Sequence, residues 1–528
     1  MKTQLLLVTF AALMLIGAPV CAQPTEADVG APQGAVAPPP GQDWQKFDRE
    51  LLISSVDTMR AVMQVPAAAV VIVHREEGVV FANGFGELPG ADKAGANTRF
   101  SIGPASEVFT AVAILRLVEQ GEVELDAPVT RYLPGVKFTP EPASPITVRQ
   151  LLHHRAGLST AQGDVFDVGG LVAPEVSGVP GAAGAASRLD YALLGLVVEA
   201  SVEGPVGAWM EAEVFGPLGM TSSALAPSGE PVAAGHQYVY GWTVAREVGQ
   251  DPRFGPAMFA ESSADDLGAM LLAMLRTMKP VEVVEEKEAA RGRRRVRRRA
   301  GEDAEEEVVA VEPVVSAGSV EAMLTAWEGA EEGEAMGWTR ERVNGELVVS
   351  RSGATATHSV AIALLPERDM GVVVLTNVNS FGGFAPRTIQ RAVVELLITR
   401  TSTVFPFAEF ALRLCLGILL LTGLVDVPRQ LWRWRRNQFV RRVSLGGKRT
   451  ARLVVALVVP VAAVVGAVWW APMHLGALAE QQPDLVLALA LAPPLWLVRG
   501  VLKAINDAWE ERARRLQEEG LEGGLELL

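Results

Sequence analysis

Hydrophobic positions early in the chain follow two different periods. Asp48 to Met63 has apolar residues at helical spacing and predicts an amphipathic helix. Two runs rich in β-branched and aromatic residues come next, Val65 to His74 and Gly78 to Phe85. Only Arg75 to Glu77 separates them, so together they predict a β-hairpin.

The strand pattern returns late in the same part of the chain. Three further runs predict strands and a fourth predicts a closing helix: Glu346 to Ser350, His358 to Leu365 and Met370 to Thr376 as strands, and Pro386 to Thr399 as the helix. Strand patterns therefore lie at both ends of a region whose middle is helical, which is typical of a layered α/β or α+β fold.

Beyond residue 403 the pattern becomes that of membrane helices. Residues 453–473 carry no charge over 21 positions, and residues 405–427 form a second candidate span despite Glu409 and Arg413. Residues 485–502 predict a third span, although Pro493 and the proline that follows leave a re-entrant segment as the alternative. The tail 504–528 follows these three transmembrane helices.

Charge predicts the orientation of this membrane region. The loop 428–452 holds nine Lys or Arg, the loop 474–484 holds none and the tail holds several. By the positive-inside rule, loop 428–452 and the tail are cytoplasmic and the large N-terminal domain is periplasmic, in a multi-pass protein of the inner membrane. An alternative role for the basic loop is binding of anionic lipid or a protein partner.

The N-terminus independently predicts export. Lys2, an apolar core and Val20-Cys21-Ala22 form a signal peptide over residues 1–22, with lipidation of Cys21 as the less favoured alternative. Residues 23–43 are rich in Pro, Gly and Ala and predict a disordered linker before a domain over 44–402. Cys415 is the other cysteine, so the exported part has no disulfide framework.

Composition narrows the choice of partners. The chain has 528 residues, a net charge of −14 and 49% hydrophobic residues, which argues against nucleic acid and for the lipid bilayer as a partner. The segment 281–312 joins acidic ends to the basic run Arg291 to Arg299. Its two signs nearly balance, so a solvated disordered insertion is favoured over a polyanion-binding patch.

Several motifs of the large domain resemble those of one enzyme family. Arg99 to Ala111 follows the frame aromatic-x-Ile-Gly-Ser-x-x-Lys-x-Phe-Thr-Ala. Ile146 to Leu158 joins a helix to a His-and-Gly turn, and Tyr191 to Glu199 and Leu364 to Asn377 also fit. The region 45–400 thus resembles the serine hydrolases related to class C β-lactamases and penicillin-binding proteins. The resemblance implies an antiparallel sheet built from both chain ends and flanked by helices, with a mostly helical subdomain inserted at about 112–320.

The resemblance fails at the residues that carry the chemistry. In the family a Ser attacks, a Lys activates it and the Tyr of a Tyr-x-Asn element assists proton transfer. Those positions are Pro104, Glu107 and Ala186 here, and Arg188 replaces the Asn. The cleft strand, usually Lys or His, a hydroxyl residue and Gly, reads Arg351-Ser352-Gly353. No catalytic residue is therefore expected.

The same region supplies candidates for a ligand-binding cleft. They are Ser106, Glu107, Ser187, Arg188, Arg351, Ser352 and Gly353. Ser106 lies about 200° around the helix from Pro104, so we expect it to point away from the cleft as a packed or solvent-facing hydroxyl. His153, His154 and His358 are expected to be surface or turn histidines, with no metal site and no cofactor.

Three hypotheses remain. The first is a membrane-anchored pseudoenzyme whose cleft binds a cell-wall peptide, another carboxylate or a protein partner. The second is an active serine hydrolase of esterase, D-peptidase or β-lactamase type with relocated catalytic residues, which a serine-directed probe would label. The third is a membrane signalling or assembly protein in which the spans and the basic loop carry the function.

Overall fold

The computed structural model describes residues 48–279 and 313–399, residues 425–433 and a few positions between 499 and 514. Short gaps interrupt the two long ranges, at residues 89–92, 160–165, 168–169, 172–173, 183–185, 226–228, 230, 240–241, 248–254 and 380–383. The predicted signal peptide, the linker 23–43, the insertion 281–312 and all but a few terminal residues of the predicted spans lie outside the described residues.

Strands lie mainly at the two ends of the described domain. They are β1 (Ala67–His74), β2 (Gly78–Gly86), β3 (Arg99–Ser101), β4 (Phe166–Asp167), β5 (Gly170–Leu171), β6 (Ala224–Leu225), β7 (His236–Val239), β8 (Trp242–Ala245), β9 (Ala260–Ser263), β10 (Gly333–Glu334), β11 (Thr339–Val343), β12 (Glu346–Ala354), β13 (Ser359–Leu365), β14 (Met370–Thr376) and β15 (Val378–Asn379).

Most helices come between the early and the late strands. They are α1 (Arg49–Val62), α2 (Ser106–Gln120), α3 (Val148–Leu152), α4 (Arg188–Val202), α5 (Val206–Met210), α6 (Gly255–Met258), α7 (Ala264–Thr277), α8 (Ala317–Leu324) and α9 (Phe384–Thr399). Short 3₁₀ turns include Gly103–Ala105, directly before α2, and Trp327–Gly329, shortly after α8.

A seven-stranded antiparallel sheet forms the centre of the domain. Its spatial order is β10–β11–β12–β13–β14–β1–β2, so the N-terminal hairpin pairs with the last strand of the C-terminal group. This confirms the antiparallel sheet built from both chain ends. The early helix and hairpin, β12, β13, β14 and the closing helix α9 all appear within a few residues of their predicted positions.

The alternation of side chains along β1 divides the core into two layers. All eight residues of β1 are buried, because helices cover both faces of the sheet. Val71 and Val73 belong to the core shared with α2 and α7, whereas Val70 and Ile72 belong to the core shared with α1 and α9. Successive strand residues point to opposite faces, so one continuous apolar run serves both layers.

The inserted region is not wholly separate from the sheet. Helix α2, which begins before the predicted boundary, packs on α4 within it, and Phe109 of α2 meets Phe215 edge-to-face with ring centroids 5.0 Å apart. Helix α7, however, lies inside the predicted boundaries 112–320 and packs on β1 and β14. A Cβ on Gly268 of α7 would lie only 2.7 Å from the Val71 side chain, so glycine permits this close contact.

Within the described residues, no single helix has the length and apolar character needed to cross a membrane. One pair of helical segments, Arg188–Val202 and Val206–Phe215, meets the length and composition criteria together, but it bends by 79° at its break. Most residues of α4 are buried against the rest of the domain, as in the core helix of a globular protein.

Candidate functional site

The start of helix α2 forms the centre of the candidate site. Pro104 lies in the Gly103–Ala105 turn with its ring partly exposed, where a missing N–H removes no helical hydrogen bond. Ser106 begins the helix and is fully buried. Its hydroxyl donates to the Gly103 carbonyl at 2.6 Å and accepts from the Ala260 N–H at 2.8 Å, so Ser106 lies in the interior and not at the cleft.

Strand β12 approaches this helix start closely at Gly353. A Cβ there would lie 2.3 Å from the Ile102 carbonyl oxygen and 2.7 Å from the Ala105 nitrogen. Gly103 has a positive φ of 56°, and a Cβ on it would lie 2.9 Å from the backbone of Ala354. The two glycines let backbone meet backbone, which brings Arg351 to the first turn of α2.

A buried polar chain of four residues occupies this junction. The Arg351 guanidinium donates to the carboxylate of Glu107, which is 3% exposed. The Oε2 atom of Glu107 lies 3.2 Å from Nε2 of His154, and Nδ1 of His154 lies 2.7 Å from Oδ2 of Asp190. We call Arg351, Glu107, His154 and Asp190 the central network.

His154 links the two carboxyl groups of the central network. Each of its ring nitrogens faces a carboxylate oxygen, so the imidazole bridges Glu107 and Asp190. Arg351 adds a cation against Glu107 from the other side. Buried ionisable groups are tolerated when they are paired and hydrogen-bonded in this way.

Burial shifts the pKa values of two members of the network. Burial, followed by the neighbouring Arg387 cation, lowers the pKa of Arg351 to about 10. Burial raises the pKa of Asp190 despite its hydrogen bond with His154. Its second oxygen, Oδ1, has no hydrogen-bond partner in the described part of the chain, which agrees with a carboxyl group that tends to hold a proton.

Two further charged residues lie beside the network. The Oε2 atom of Glu334 lies 3.6 Å from the Arg351 guanidinium, and burial raises the pKa of Glu334. Arg387 of α9 is exposed and donates from Nε to the hydroxyl of Ser352 at 2.6 Å. Ser352 thus presents its hydroxyl beside a cation at the edge of the site.

The segment before α4 has a structural role at Ser187. Its hydroxyl donates to the Ser159 carbonyl at 2.9 Å, and its side chain and Asp190 form a capping box for α4. Ala186 is exposed, whereas Arg188 is partly buried with a guanidinium nitrogen 3.5 Å from the Met258 sulfur. The structure therefore brings Glu107, Arg351 and Asp190 together, whereas the hydroxyls of Ser106 and Ser187 bond to backbone groups of the domain interior.

Comparison with known proteins identifies the family of this domain. The model of the Beta-lactamase family matches residues 56–395. The chain belongs to the Beta-lactamase family. The matched region includes the positions at which the resemblance places the serine, lysine and tyrosine of the family.

Individual relatives of this Beta-lactamase family chain are distant. It is 32% identical over 180 residues to esterase EstB of Burkholderia gladioli, a match that covers 29% of this chain and 45% of the esterase. It is 22% identical over 407 residues to Protein flp of Staphylococcus aureus, covering 72% of this chain and 74% of that protein. The chain therefore spans less than half of the esterase it resembles.

Solved structures share the fold of this Beta-lactamase family domain. The octameric penicillin-binding protein homologue from Pyrococcus abyssi aligns with a TM-score of 0.52 at 23% identity, over 71% of this chain and 82% of the other. A beta-lactamase/D-alanine carboxypeptidase from Pseudomonas syringae gives 0.51 at 16% identity, over 66% and 98% of the two chains. At these identities the likeness shows the fold alone.

Sequence reasoning missed several polar residues of this family member's site. His153, His154 and His358 are not surface residues, since each is no more than 6% exposed, although His153 and His154 do lie in the turn after α3. No group of metal-ligating side chains suited to an ion occurs among the described residues. Asp190 has a local signal, an acidic residue three positions after the helix-capping Ser187, but nothing local indicates its histidine partner.

Proposed function

We propose that this protein is a membrane-anchored, extracytoplasmic member of the Beta-lactamase family that binds a carboxylate-bearing ligand without hydrolysing it. A cell-wall peptide with a free C-terminus belongs to this ligand class. The proposal combines three arguments: the charge at the centre of the site, the cation at its edge and the export and membrane signals of the sequence.

The ion pair between Glu107 and Arg351 carries the proposal. Glu107 stands where the family has its lysine, and its carboxylate is buried and hydrogen-bonded to both Arg351 and His154. A negative charge at this point opposes formation of an alkoxide on any nearby hydroxyl. Pro104, at the position of the family's serine, has no nucleophilic atom. The serine and the lysine of the family are thus replaced by Pro104 and Glu107, which can stabilise the fold but cannot carry out the family's reaction.

Cations at the edge of the site favour an anionic ligand. Arg351 is engaged with Glu107, but Arg387 is exposed and donates to Ser352. A carboxylate that meets Arg387 and the Ser352 hydroxyl gains charge-assisted hydrogen bonds without displacing the central network. The ligand then binds at the surface of the site.

The membrane part of the proposal rests on sequence. The signal peptide, the three apolar stretches after residue 403 and the basic loop 428–452 all agree on an exported domain held at the inner membrane. Attachment at the membrane is compatible with a receptor for ligands or partners outside the cytoplasm.

Covalent labelling tests the absence of catalysis. The full-length protein in detergent is incubated with a fluorescent penicillin and with a fluorophosphonate, and its intact mass is measured. We expect no adduct with either reagent. An adduct on one serine would overturn the proposal and support an active hydrolase with relocated residues.

Peptide binding tests the ligand class. We expect an acetylated peptide ending in D-Ala-D-Ala to bind more tightly than its C-terminal amide. The variant Arg387→Gln is expected to weaken binding of the peptide acid about fivefold and to leave binding of the peptide amide unchanged. Arg391→Gln, on the same helix with its side chain paired to Glu395, is the matched control and should bind like the unaltered protein. Equal binding of acid and amide would contradict the proposed ligand class.

A further inference from the structure

A cavity lies next to the central network, on the other side of the turn that holds His153 and His154. It has a volume of about 480 Å³, within the usual range of small-molecule sites. Helix α8, the turn Trp327–Gly329 and the end of α3 form its walls. His153 lines it and is the neighbour in sequence of His154, but no member of the central network does. The cavity is therefore a separate site.

The cavity has an aromatic wall without charge. The rings of Trp327 and His153 meet edge-to-face with centroids 5.3 Å apart. Burial lowers the pKa of His153 to about 4, so its imidazole is neutral at pH 7. Ala322, Ala326 and Met336 complete an apolar lining. These residues suit the hydrocarbon body of a ligand.

Two acidic residues also line the cavity, Glu321 and Glu328, and both are exposed. The backbone carbonyl of Glu321 accepts from the Thr325 hydroxyl at 2.7 Å, but neither carboxylate makes a hydrogen bond or ion pair with another of the described residues. Arg149 lines the cavity as well, and both of its side-chain hydrogen bonds go to Asp126, at 2.7 and 2.8 Å. An occupant thus meets two unpaired carboxylates beside an arginine that is already paired.

The backbone of the cavity wall has an unusual conformation at Glu328. Glu328 has a φ of 54°, in the left-handed region that is unfavourable for a residue with a Cβ. Gly329 follows with a φ of 72°. Unfavourable backbone of this kind tends to occur where a side chain has to be placed for binding.

We propose that this cavity binds a small organic cation, a primary ammonium group carried on an aromatic or branched alkyl body. The ammonium group is attracted by Glu321 and Glu328 and by the electron-rich face of Trp327. The apolar body packs against Ala322, Ala326 and Met336. This site is independent of the carboxylate-binding cleft, and its occupant has the opposite charge.

Calorimetric titration of the full-length protein in detergent tests the proposal. The probes are phenethylamine, its neutral analogue 2-phenylethanol and the anion phenylacetate. We expect saturable binding of the amine with a dissociation constant of about 1 mM and weaker binding of the alcohol. Phenylacetate is a carboxylate and can bind at Arg387, so it is titrated into Arg387→Gln, where we expect no binding. Binding of phenylacetate to Arg387→Gln as tight as that of the amine, or no saturable binding of the amine, would overturn the proposal.

Variants show where on the protein the amine binds. Partition of the amine into detergent is the same for every variant, so differences between variants report binding to the protein. The double variant Glu321→Gln with Glu328→Gln is expected to weaken binding of the amine about fivefold. Trp327→Ala is expected to weaken this binding by about fivefold as well, and Trp327→Phe by a factor between that of Trp327→Ala and that of the unaltered protein. Glu332→Gln is the matched control, since Glu332 is exposed and does not line the cavity. Equal losses in the double variant and the control would refute the site.

The two proposed sites can fail separately. Arg387→Gln should leave binding of phenethylamine unchanged, because Arg387 does not line this cavity. The cavity variants should likewise leave binding of the D-Ala-D-Ala peptide unchanged. If any one of these variants weakened binding of the amine and of the peptide equally, the two sites would not be independent.

Discussion

Arg351 donates a hydrogen bond to the carboxylate of Glu107 across 244 positions of sequence, joining strand β12 to the first turn of helix α2. Both side chains are largely buried, with 11% of the arginine and 4% of the glutamate exposed. Removing one partner would leave the other as a buried charge without its closest counter-charge, which is far more costly than losing the pair as a whole.

Single substitutions of this pair should therefore be strongly destabilising. We expect Arg351→Met and Glu107→Gln each to lower the free energy of unfolding by about 3–5 kcal/mol. The double variant should lose clearly less than the sum, because neither charge is then left alone. Urea unfolding of the four proteins measures the coupling. Glu331→Gln, which breaks the exposed pair with Arg342, is the control and should change stability little.

The contact between β12 and the start of α2 requires a glycine at position 353. We expect Gly353→Ala to destabilise the domain by about 3 kcal/mol, because a Cβ would overlap the Ile102 carbonyl and the Ala105 nitrogen. The melting temperature reports this loss. Gly135→Ala is the comparison, since a Cβ there meets no atom within 4 Å. Similar melting temperatures for the two variants would show that the close approach is not required.

Ser106 should contribute to stability and not to reactivity. Its hydroxyl satisfies the Ala260 N–H and donates to the Gly103 carbonyl, so Ser106→Ala leaves a buried amide without a partner. We expect a loss of about 2 kcal/mol in the free energy of unfolding, with ligand binding intact. A hydrolytic activity of the unaltered protein that disappears in Ser106→Ala would instead identify Ser106 as reactive.

Two buried histidines should make stability depend on pH. Burial lowers the pKa values of His153 and His358 from 6.5 to about 4, so the unfolded chain binds protons that the folded chain excludes between these values. Their contribution is complete above pH 6.5 and is lost as the pH falls to about 4. It amounts to about 3 kcal/mol for each histidine.

The raised pKa of Asp190 acts in the opposite direction. Its contribution is present below its ordinary value of 3.8 and is lost as the pH rises through its higher pKa in the fold. Urea midpoints between pH 4 and 7 measure the balance. We expect stability to rise with pH over this range and His358→Gln to reduce the slope by more than half, because Asp190 opposes the two histidines. An unchanged slope in His358→Gln would contradict its assignment as a buried neutral base.

Local patterns predicted the framework of this domain well. Strands β1, β13 and β14 are apolar at nearly every position because both faces of each are covered, and such a run is visible in the sequence. The replacements at Pro104 and Glu107 were visible for a different reason, since they interrupt a motif whose remaining residues are present.

The central network could not be predicted in the same way. Glu107 and Arg351 were named as cleft residues, but the hydrogen bonds of His154 join it to residues 47 and 36 positions away. Such contacts depend on how the turn after α3 meets the starts of α2 and α4, which no local pattern records. The helical position of Ser106 predicted a packed or solvent-facing hydroxyl, and the structure has it buried. Its bond to Ala260 could be known only from the tertiary structure.

The pairing of β1 with β14 has a consequence for the chain during its synthesis. The Ala67 N–H donates to the side chain of Asn377, 310 positions later. Until that part of the chain is synthesised, the N-terminal hairpin has an apolar strand with one open edge, which is the kind of surface that recruits other unfolded chains. Closing so long a loop also makes folding slow. The nascent hairpin therefore needs protection from aggregation for most of the time that translation takes.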